Sequence, residues 1–339
     1  MSIFTPASNM LLRNHYKFSH RHVLFSGDLQ DTLSAQIKTK TRCIYTQQYH
    51  HWMILSKILG THAYFGVVMT PKMLHKCNTL VYYWPKNKAN AQFQLQNILS
   101  LLQPGSEIFI VGEYCSGVRS AVQLIKNWVT LSKIDSARHC GLYHGYIESQ
   151  PCFNPNIFWN EYLVGALKIK SLPGVFGYNG LDSGTEFLLS TLSDYHIKGR
   201  VLEIGCGTGV LSAVLASSAP EVQLTLTDVN AAAISSSQAT LLCNALTGHV
   251  LPSNLYSNVI GHFDVIISNP PFHEGLKINL DMARTLIQTA PYHLRLGGEL
   301  RIVANSSLPY QKMLKQVFTE YDILLSNRYF KVYRAIKTQ

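Results

Sequence analysis

The sequence predicts an α/β protein made of two tandem copies of one unit, the first degraded and the second intact. With 339 residues, the chain is long for one hydrophobic core and sufficient for two. Apolar residues make up 47% of it and charged residues only 14%, so each half can bury a core of its own. Short apolar runs alternate with helical patterns in both halves, which is typical of a mainly parallel sheet covered by helices.

The second half carries the clearer pattern of strands. Its apolar runs are short, and glycine or polar turn residues bound them, as they bound buried strands. The first run, residues 200–204, leads into the glycine-rich residues 205–209, and a helical pattern follows from 210 to about 216. Three further runs are predicted to be strands: residues 224–228, 263–268 and 300–304.

Three runs of the first half match runs of the second half in the same order. The matching pairs are residues 22–28 with 200–206, 79–87 with 263–271, and 105–113 with 297–305. The alternative is that short apolar strands with glycine turns recur by chance. Because order and type are kept three times, the pattern favours duplication of one α/β unit.

The first copy lacks what chemistry would need. Its first turn keeps one glycine, Gly27, where the second copy has three, and it has no counterpart of the Asn-Pro-Pro-Phe sequence at residues 269–272. We therefore expect the first copy to keep the fold without the activity. Pro, Asn and Gly cluster between residues 151 and 173, and the predicted domains are residues 1–165 and 166–339.

The net charge of +10 is distributed unevenly along the chain. Residues 1–165 contain 15 Lys and Arg against 7 Asp and Glu, whereas residues 166–339 contain 14 against 12. This asymmetry suggests a polyanionic partner held mainly by the first half. A basic surface kept for solubility is the alternative.

The remaining composition favours a cytoplasmic protein. No apolar stretch is long enough for a membrane helix, and the first residues do not resemble a signal peptide. The seven cysteines form no Cys-x-x-Cys pair, which fits reduced thiols better than a disulfide framework or a zinc site.

A glycine-rich turn follows the first predicted strand of the second half. Gly205, Gly207 and Gly209 alternate there, beginning two residues after Glu203. Glycines allow a tight turn and the close approach of a ligand. The dinucleotide-binding fingerprint would require glycine at position 210, which is Val210. Asp228, at the end of the next predicted strand, could instead accept hydrogen bonds from ribose hydroxyls.

The sequence Asn269-Pro270-Pro271-Phe272 directly follows a predicted buried strand. Two prolines fix a rigid turn and remove two backbone donors, which leaves the Asn269 side-chain carbonyl and the Pro270 backbone carbonyl as acceptors. Two such acceptors can bind the hydrogens of an amino group on a planar ring and aim its lone pair. Phe272 supplies a face on which a base can stack. His273 is interpreted as a solvated or RNA-facing residue, and a Pro-Pro turn by itself could simply end a strand.

These motifs resemble those of the class I S-adenosylmethionine-dependent methyltransferases. The whole chain resembles the bacterial ribosomal RNA small subunit methyltransferase C family, which has two methyltransferase-like domains of which only the second binds cofactor. The matching sequences are residues 4–8, 27–31, 50–52, 83–88, 268–273 and 330–335. The resemblance therefore implies two tandem Rossmann-like domains, the first for RNA docking and stabilisation and the second catalytic.

The resemblance also implies a set of site residues. For S-adenosylmethionine they are Glu203, Gly205, Gly207 and Gly209 at the methionine part, Asp228 at the ribose, Asn254 at the adenine, and Gly184 and Thr185 over the methionine end. Catalysis falls to Asn269, Pro270 and Phe272, and no metal is expected. Two alternatives stay open: Asn254 as an ordinary turn residue, and Asp182 or Ser183 as a plain helix cap.

The implied reaction is methylation of N2 of guanine 1207 in 16S rRNA within the 30S subunit, by a monomer that needs neither membrane nor DNA. Adenine N6 and protein glutamine are alternative targets of such sites, and a non-catalytic RNA-binding assembly factor is an alternative of another class. The chain departs from the family pattern at Glu203, where Asp is frequent. It also has Gly177-Tyr178-Asn179 where a Ser-Arg-Asp type of sequence is more usual, which puts an RNA contact there in doubt.

Overall fold

The structure is a computed structural model that describes residues 4–192, 197–270 and 280–339, together with the backbone of 273–274 and 277–278. The chain forms two compact units, Met1–Trp159 and Asn160–Gln339, which we call unit 1 and unit 2. The division lies a few residues before the predicted boundary at residue 165.

Unit 1 contains a seven-stranded sheet in the order β3-β2-β1-β4-β5-β7-β6. The first five strands of this order are parallel, and β7 and β6 run antiparallel to their neighbours. The strands are β1 (His22–Gly27), β2 (Thr41–Thr46), β3 (Ala63–Phe65), β4 (Thr79–Tyr83), β5 (Glu107–Glu113), β6 (Ser132–Ala137) and β7 (Cys140–Tyr146).

Helices cover both faces of this sheet, and α5 is the longest described in unit 1. They are α1 (Pro6–Arg13), α2 (Leu33–Gln36), α3 (Tyr49–Leu59), α4 (Pro71–Leu74), α5 (Lys88–Leu101) and α6 (Ala121–Leu124). Short 3₁₀ turns lie at His15–Lys17, Gly60–His62, Tyr114–Ser116, Val118–Ser120 and Pro155–Phe158.

Unit 2 repeats the architecture, with a seven-stranded sheet in the order β12-β11-β10-β13-β16-β18-β17. Two small antiparallel hairpins, β8–β9 and β14–β15, stand apart from this sheet. The strands are β8 (Asn160–Val164), β9 (Leu167–Ser171), β10 (Gly199–Ile204), β11 (Val222–Asp228), β12 (His249–Pro252), β13 (Phe263–Ser268), β14 (His273–Glu274), β15 (Lys277–Ile278), β16 (Leu294–Asn305), β17 (Glu320–Ser326) and β18 (Phe330–Ile336).

Five helices accompany the strands of unit 2 in its described part. They are α7 (Ser183–Leu189), α8 (Val210–Ser218), α9 (Ala231–Cys243), α10 (Asp281–His293) and α11 (Tyr310–Lys315). Two apolar clusters form the core on the two faces of the sheet. Leu300 and Tyr310 belong to the cluster with α10 and α11, whereas Val303 and Leu188 belong to the cluster with α7 and α8.

The two sheets share one strand order when each unit is numbered from its own first sheet strand. The three sequence matches between the halves pair β1 with β10, β4 with β13, and β5 with β16, which occupy the same places in the two sheets. The predicted fold, two tandem α/β units with a mainly parallel sheet, is therefore confirmed.

The end of β1 in unit 1 is closed by backbone. Gly27 has a φ of +91°, and a Cβ at this position would lie 2.1 Å from the carbonyl oxygen of Tyr83. That carbonyl accepts a hydrogen bond from the Asp28 N–H at 3.0 Å. The single glycine kept in the first copy thus lets the chain pass β4 closely, which is a packing role.

Two further expectations concern cysteines and membrane helices. All seven cysteines are free, and Cys43, Cys77, Cys140 and Cys206 are buried. Within the described ranges, no helix has the length and apolar character that a membrane span requires.

Candidate active site

The site lies at one edge of the unit 2 sheet. β10, β11 and β13 are neighbouring parallel strands, so their carboxyl ends meet at the same edge. Glu203 lies near the end of β10, Asp228 ends β11, and Asn269 directly follows β13. The topology therefore brings together residues that the sequence predicts to act together.

The glycine loop joins β10 to α8 in a conformation that glycine permits. Gly205, Gly207 and Gly209 all have positive φ, at +74°, +53° and +75°. A Cβ at Gly209 would lie 3.0 Å from Ser237, and one at Gly207 would lie 3.2 Å from the carbonyl oxygen of Phe176. Backbone shape and crowding both select glycine at these two positions.

Glu203 is a buried carboxylic acid that connects the end of β10 to α8. The side chain is 1% exposed, and its Oε2 accepts hydrogen bonds from the N–H of Ser212, at 3.1 Å, and from the Ser212 hydroxyl. Burial raises the pKa of Glu203 to about 8, although the Ser212 hydrogen bonds act in the opposite direction. A cation placed beside this group would favour its ionised form.

Asp228 connects the glycine loop to the neighbouring strand. Its Oδ2 accepts a hydrogen bond from the Gly207 N–H at 3.0 Å, and its Oδ1 accepts one from the Asn230 N–H at 2.9 Å. Burial raises the pKa of Asp228, and backbone hydrogen bonds limit that rise. The carboxylate thus holds the loop, while its ribose-binding role stays a prediction.

Asn269 is held by two acceptors from the start of α7. Its Nδ2 donates to Oγ1 of Thr185 at 2.9 Å and to Oδ2 of Asp182 at 3.2 Å. Because the amide group is planar, fixing both N–H groups on the α7 side turns Oδ1 to the opposite side. Among the residues that the structure describes, no donor contacts that oxygen. The carbonyl is therefore oriented away from α7.

A small cleft opens between the glycine loop, the 176–185 segment and Asn269. Two carboxylic acids, Glu203 and Asp182, and two aromatic rings, Tyr162 and Phe176, line it, and none of its described lining residues is basic. Such a lining suits a ligand that carries positive charge and no phosphate. S-adenosylmethionine has a sulfonium and an ammonium group and fits this chemistry, whereas a dinucleotide does not.

The structure places the other predicted residues as follows. Thr185 lines the cleft, and Gly184 adjoins it, since a Cβ there would lie 3.4 Å from Nδ2 of Asn269. Asp182 is the N-cap of α7, so the helix-cap alternative describes its local role. Asn254 is exposed in a turn after β12 and, like Asp228, is not among the described residues that line the cleft, so its contact with the adenine stays a prediction.

Part of the predicted catalytic motif falls outside the described residues. Pro270 is described and buried at the end of β13. Pro271 and Phe272 lie outside the described residues, and His273 is described for its backbone alone, in β14. The roles of Pro270 and Phe272 stay predictions.

Two aromatic residues of the cleft, Tyr162 and Phe176, have no signature in the sequence. Tyr162 lies on the β8–β9 hairpin, and its hydroxyl is 3.5 Å from Oγ1 of Thr208. Phe176 precedes the turn at Gly177, and all of these residues line the cleft. Neither the hairpin nor the turn belongs to the sheet, so no strand-end argument could locate them.

Two methyltransferase family models match the two halves of the chain. The family model described as methyltransferase small domain matches residues 166–334, and the one described as methyltransferase small domain N-terminal matches residues 8–162. Together they cover nearly the whole chain.

Curated relatives share more than half of the sequence. A ribosomal RNA small subunit methyltransferase C from Erwinia tasmaniensis is 58% identical over 339 residues, covering 100% of this chain and 99% of the relative. One from Citrobacter koseri is 53% identical with the same coverage. A solved structure of a T. thermophilus 16S rRNA N2 G1207 methyltransferase, in complex with AdoMet and guanosine, has a TM-score of 0.86 at 22% identity. It covers 98% of this chain and 92% of its own, and it supports the fold.

The raised pKa of Glu203 predicts a pH-dependent stability. Between the ordinary carboxyl pKa near 4.5 and about 8, the folded state holds a proton that the unfolded state has lost. The free energy of unfolding should therefore fall as pH rises through this window, by at most about 1.4 kcal/mol per pH unit for one proton. Glu203→Gln should remove this contribution, which denaturant unfolding of both proteins from pH 5 to pH 8 will measure. Glu221→Gln, at an exposed glutamate, is the control. Parallel curves of unfolding free energy against pH for wild type and Glu203→Gln would contradict the prediction.

The hydrogen bond from Asn269 to Thr185 predicts a loss of turnover in Thr185→Val. A lost hydrogen bond of about 1.4 kcal/mol corresponds to a roughly tenfold lower kcat if the amide loses its orientation. Thr185→Ser keeps the hydroxyl and should stay within about twofold of wild type. Single-turnover kinetics and equilibrium binding of S-adenosylmethionine separate orientation from cofactor affinity. Equal defects in the Ser and Val variants, or a defect confined to cofactor affinity, would argue against this role.

Proposed function

The chain belongs to the ribosomal RNA small subunit methyltransferase C family, and on that premise we propose that it methylates N2 of guanine 1207 in 16S rRNA within the small subunit. The observation that carries the proposal is the oriented carbonyl of Asn269 beside a cleft that is lined by carboxylic acids and, among the described residues, by no basic side chain. A cationic methyl donor suits the cleft, and an amino group suits the carbonyl.

S-adenosylmethionine, when bound, supplies an electrophilic methyl group on a sulfonium. Glu203 and Asp182 are the two carboxylic acids that line the cleft for its charged end, and the glycine loop gives it close access to backbone. The acid lining favours the cationic donor over the neutral thioether product, so product release is assisted by the loss of positive charge.

Asn269 and Pro270 act on the nucleophile. N2 of guanine is a poor nucleophile because its lone pair is delocalised into the ring. Acceptance of its two hydrogens by Oδ1 of Asn269 and the carbonyl of Pro270 favours a pyramidal nitrogen with its lone pair aimed at the methyl group. With S-adenosylmethionine in the cleft, the cofactor would supply the methyl group, Asn269 and Pro270 would hold the amine in line with it, and water would take the proton that N2 loses. Positioning rather than a strong base performs the reaction.

Unit 1 is proposed to dock the RNA. Lys86, Lys88, Arg119 and Arg138 are exposed in the segments that follow β4 and β5, which include the first residue of α5, and in the turn that joins β6 to β7. Hydrogen bonds tie these loops together: the Trp84 indole donates to the carbonyl of residue 116 at 3.1 Å, and the N–H of residue 114 donates to the carbonyl of residue 139 at 2.8 Å. A rigid basic edge of this kind can follow a phosphate backbone. The reacting groups lie in one chain, so we propose that a monomer acts, in the cytoplasm where its substrate is found.

Asn269→Ala should abolish turnover while the affinity for S-adenosylmethionine stays near that of wild type. The reason is that the side-chain carbonyl acts on the substrate amine, whereas the cleft keeps its carboxylic acids. Asn305, which ends the neighbouring strand β16, gives a matched control, and Asn305→Ala should remain active within a few-fold. A comparable loss of cofactor binding in Asn269→Ala would place the residue in cofactor recognition instead.

The reaction itself is tested by transfer of a labelled methyl group to 16S rRNA and to isolated small subunits, followed by nucleoside analysis. The expected product is N2-methylguanosine at position 1207, formed more efficiently in the subunit. N6-methyladenosine or label in ribosomal protein would refute the proposed target, and no transfer at all would refute the enzyme.

A further inference from the structure

A second concavity of unit 2 lies between α11 and β18. Lys312 and Lys315 of α11 line it together with Lys331 of β18, and no Asp or Glu is among its described lining residues. We call it the lysine groove. The lysine groove shares no described lining residue with the cofactor cleft.

The three lysines are not neutralised by neighbours. None of them forms an ion pair within the described ranges, and Lys312 and Lys315 are exposed. The groove therefore carries uncompensated positive charge, although unit 2 as a whole is nearly neutral.

Helix geometry explains only part of this arrangement. Lys312 and Lys315 are three residues apart on one side of α11, and basic residues in a last turn complement the helix dipole. Lys331 belongs to a strand and obtains no such benefit. Its backbone pairs with Ala304 of β16, and its side chain lines the same concavity as a third positive charge.

Strand register locates the groove relative to Asn269. Ser268, the residue before Asn269, pairs with Ile302, and Ile302 pairs with Tyr333, which lines the groove. Two strand spacings of about 4.8 Å separate Ser268 from Tyr333, or roughly 10 Å between their backbones. An RNA strand whose target base reaches Asn269 can place a phosphate a few nucleotides away at the groove.

The tip of the β17–β18 hairpin extends the same surface. The Arg328 guanidinium lies 5.7 Å from the ring centre of Tyr329, which is 62% exposed. Ser306, at the rim of the groove, donates its N–H to the carbonyl of Tyr329 at 2.8 Å and its hydroxyl to the carbonyl of Asn327 at 3.0 Å. The tip thus presents an exposed ring and a further positive charge in a fixed position.

We propose that the lysine groove binds phosphodiesters of the rRNA strand that flank the target guanosine. Lysines act as point charges on phosphate without reading sequence, and such contacts set the register of the strand. A base that must leave its stack to reach a catalytic group requires its backbone to be held nearby. The proposal deepens the proposed function and rests on it.

The test compares wild type with the variant Lys312→Gln/Lys315→Gln/Lys331→Gln in the full-length protein. We expect the KM for small subunits, at saturating S-adenosylmethionine, to rise about tenfold or more, because several phosphate contacts are lost. In equilibrium binding to 16S rRNA, the slope of log affinity against log salt should fall by about 0.7–0.9 per lysine. The Kd for S-adenosylmethionine should be unchanged, which also verifies that the variant folds.

Lys198→Gln is the matched control, because this exposed lysine precedes β10 at the opposite edge of the sheet. It is compared with Lys312→Gln and Lys315→Gln as single variants, which decide the question if the triple variant fails to fold. Wild-type KM and salt slope in the groove variants would overturn the proposal, as would a defect seen with small subunits but not with 16S rRNA, which would indicate a ribosomal protein at the groove. Failure of the wild type to methylate rRNA would instead refute the proposed function, while the RNA-binding comparison would still decide the groove.

Discussion

One carboxylate oxygen joins the parts of the active site. Oδ2 of Asp182 accepts hydrogen bonds from the N–H groups of Gly184 and Thr185 and from the side chain of Asn269. It therefore begins α7 and orients the amide at the end of β13 at once. The planar amide has two possible orientations, and only one presents a carbonyl to a substrate amine. The start of α7 and the orientation of the Asn269 amide are thus set by the same atom.

The two units show how one architecture supports or loses a site. Their sheets have the same strand order, and their difference lies in the turns at the carboxyl ends of the strands. In unit 2 three glycines leave room beside β10, whereas in unit 1 the turn after Gly27 is closed by the carbonyl of Tyr83. The edge of unit 1 carries exposed lysines and arginines instead. One sheet architecture can therefore carry a small-molecule cleft or an exposed basic edge.

Much of the fold could be predicted from the sequence because short apolar runs bounded by glycine mark strands that lie between covering helices. The same patterns located Glu203, Asp228 and Asn269 at strand ends, where parallel topology must bring them together. The hydrogen bond from Asn269 to Thr185 joins residues 84 positions apart and depends on side-chain rotamers, so no local pattern could reveal it. The position of Tyr162 in the cleft could not be predicted either, because its hairpin lies outside the main sheet. The lysine groove could not be predicted because its lysines come from α11 and β18 and form one surface only in the folded protein.

The shared strand order has a consequence for how the chain reaches its native state. A newly made chain offers each central strand two sheets of the same topology, and tandem copies of one architecture are prone to exchange elements. Exchange is penalised when the two cores differ in side-chain volume, because overpacking and cavities both destabilise. β4 of unit 1 contributes Tyr82 and Tyr83 where β13 of unit 2 contributes Ile266 and Ile267, so the strands are not interchangeable. Divergence of the first copy thus protects the assembly of the second, independently of any loss of chemistry.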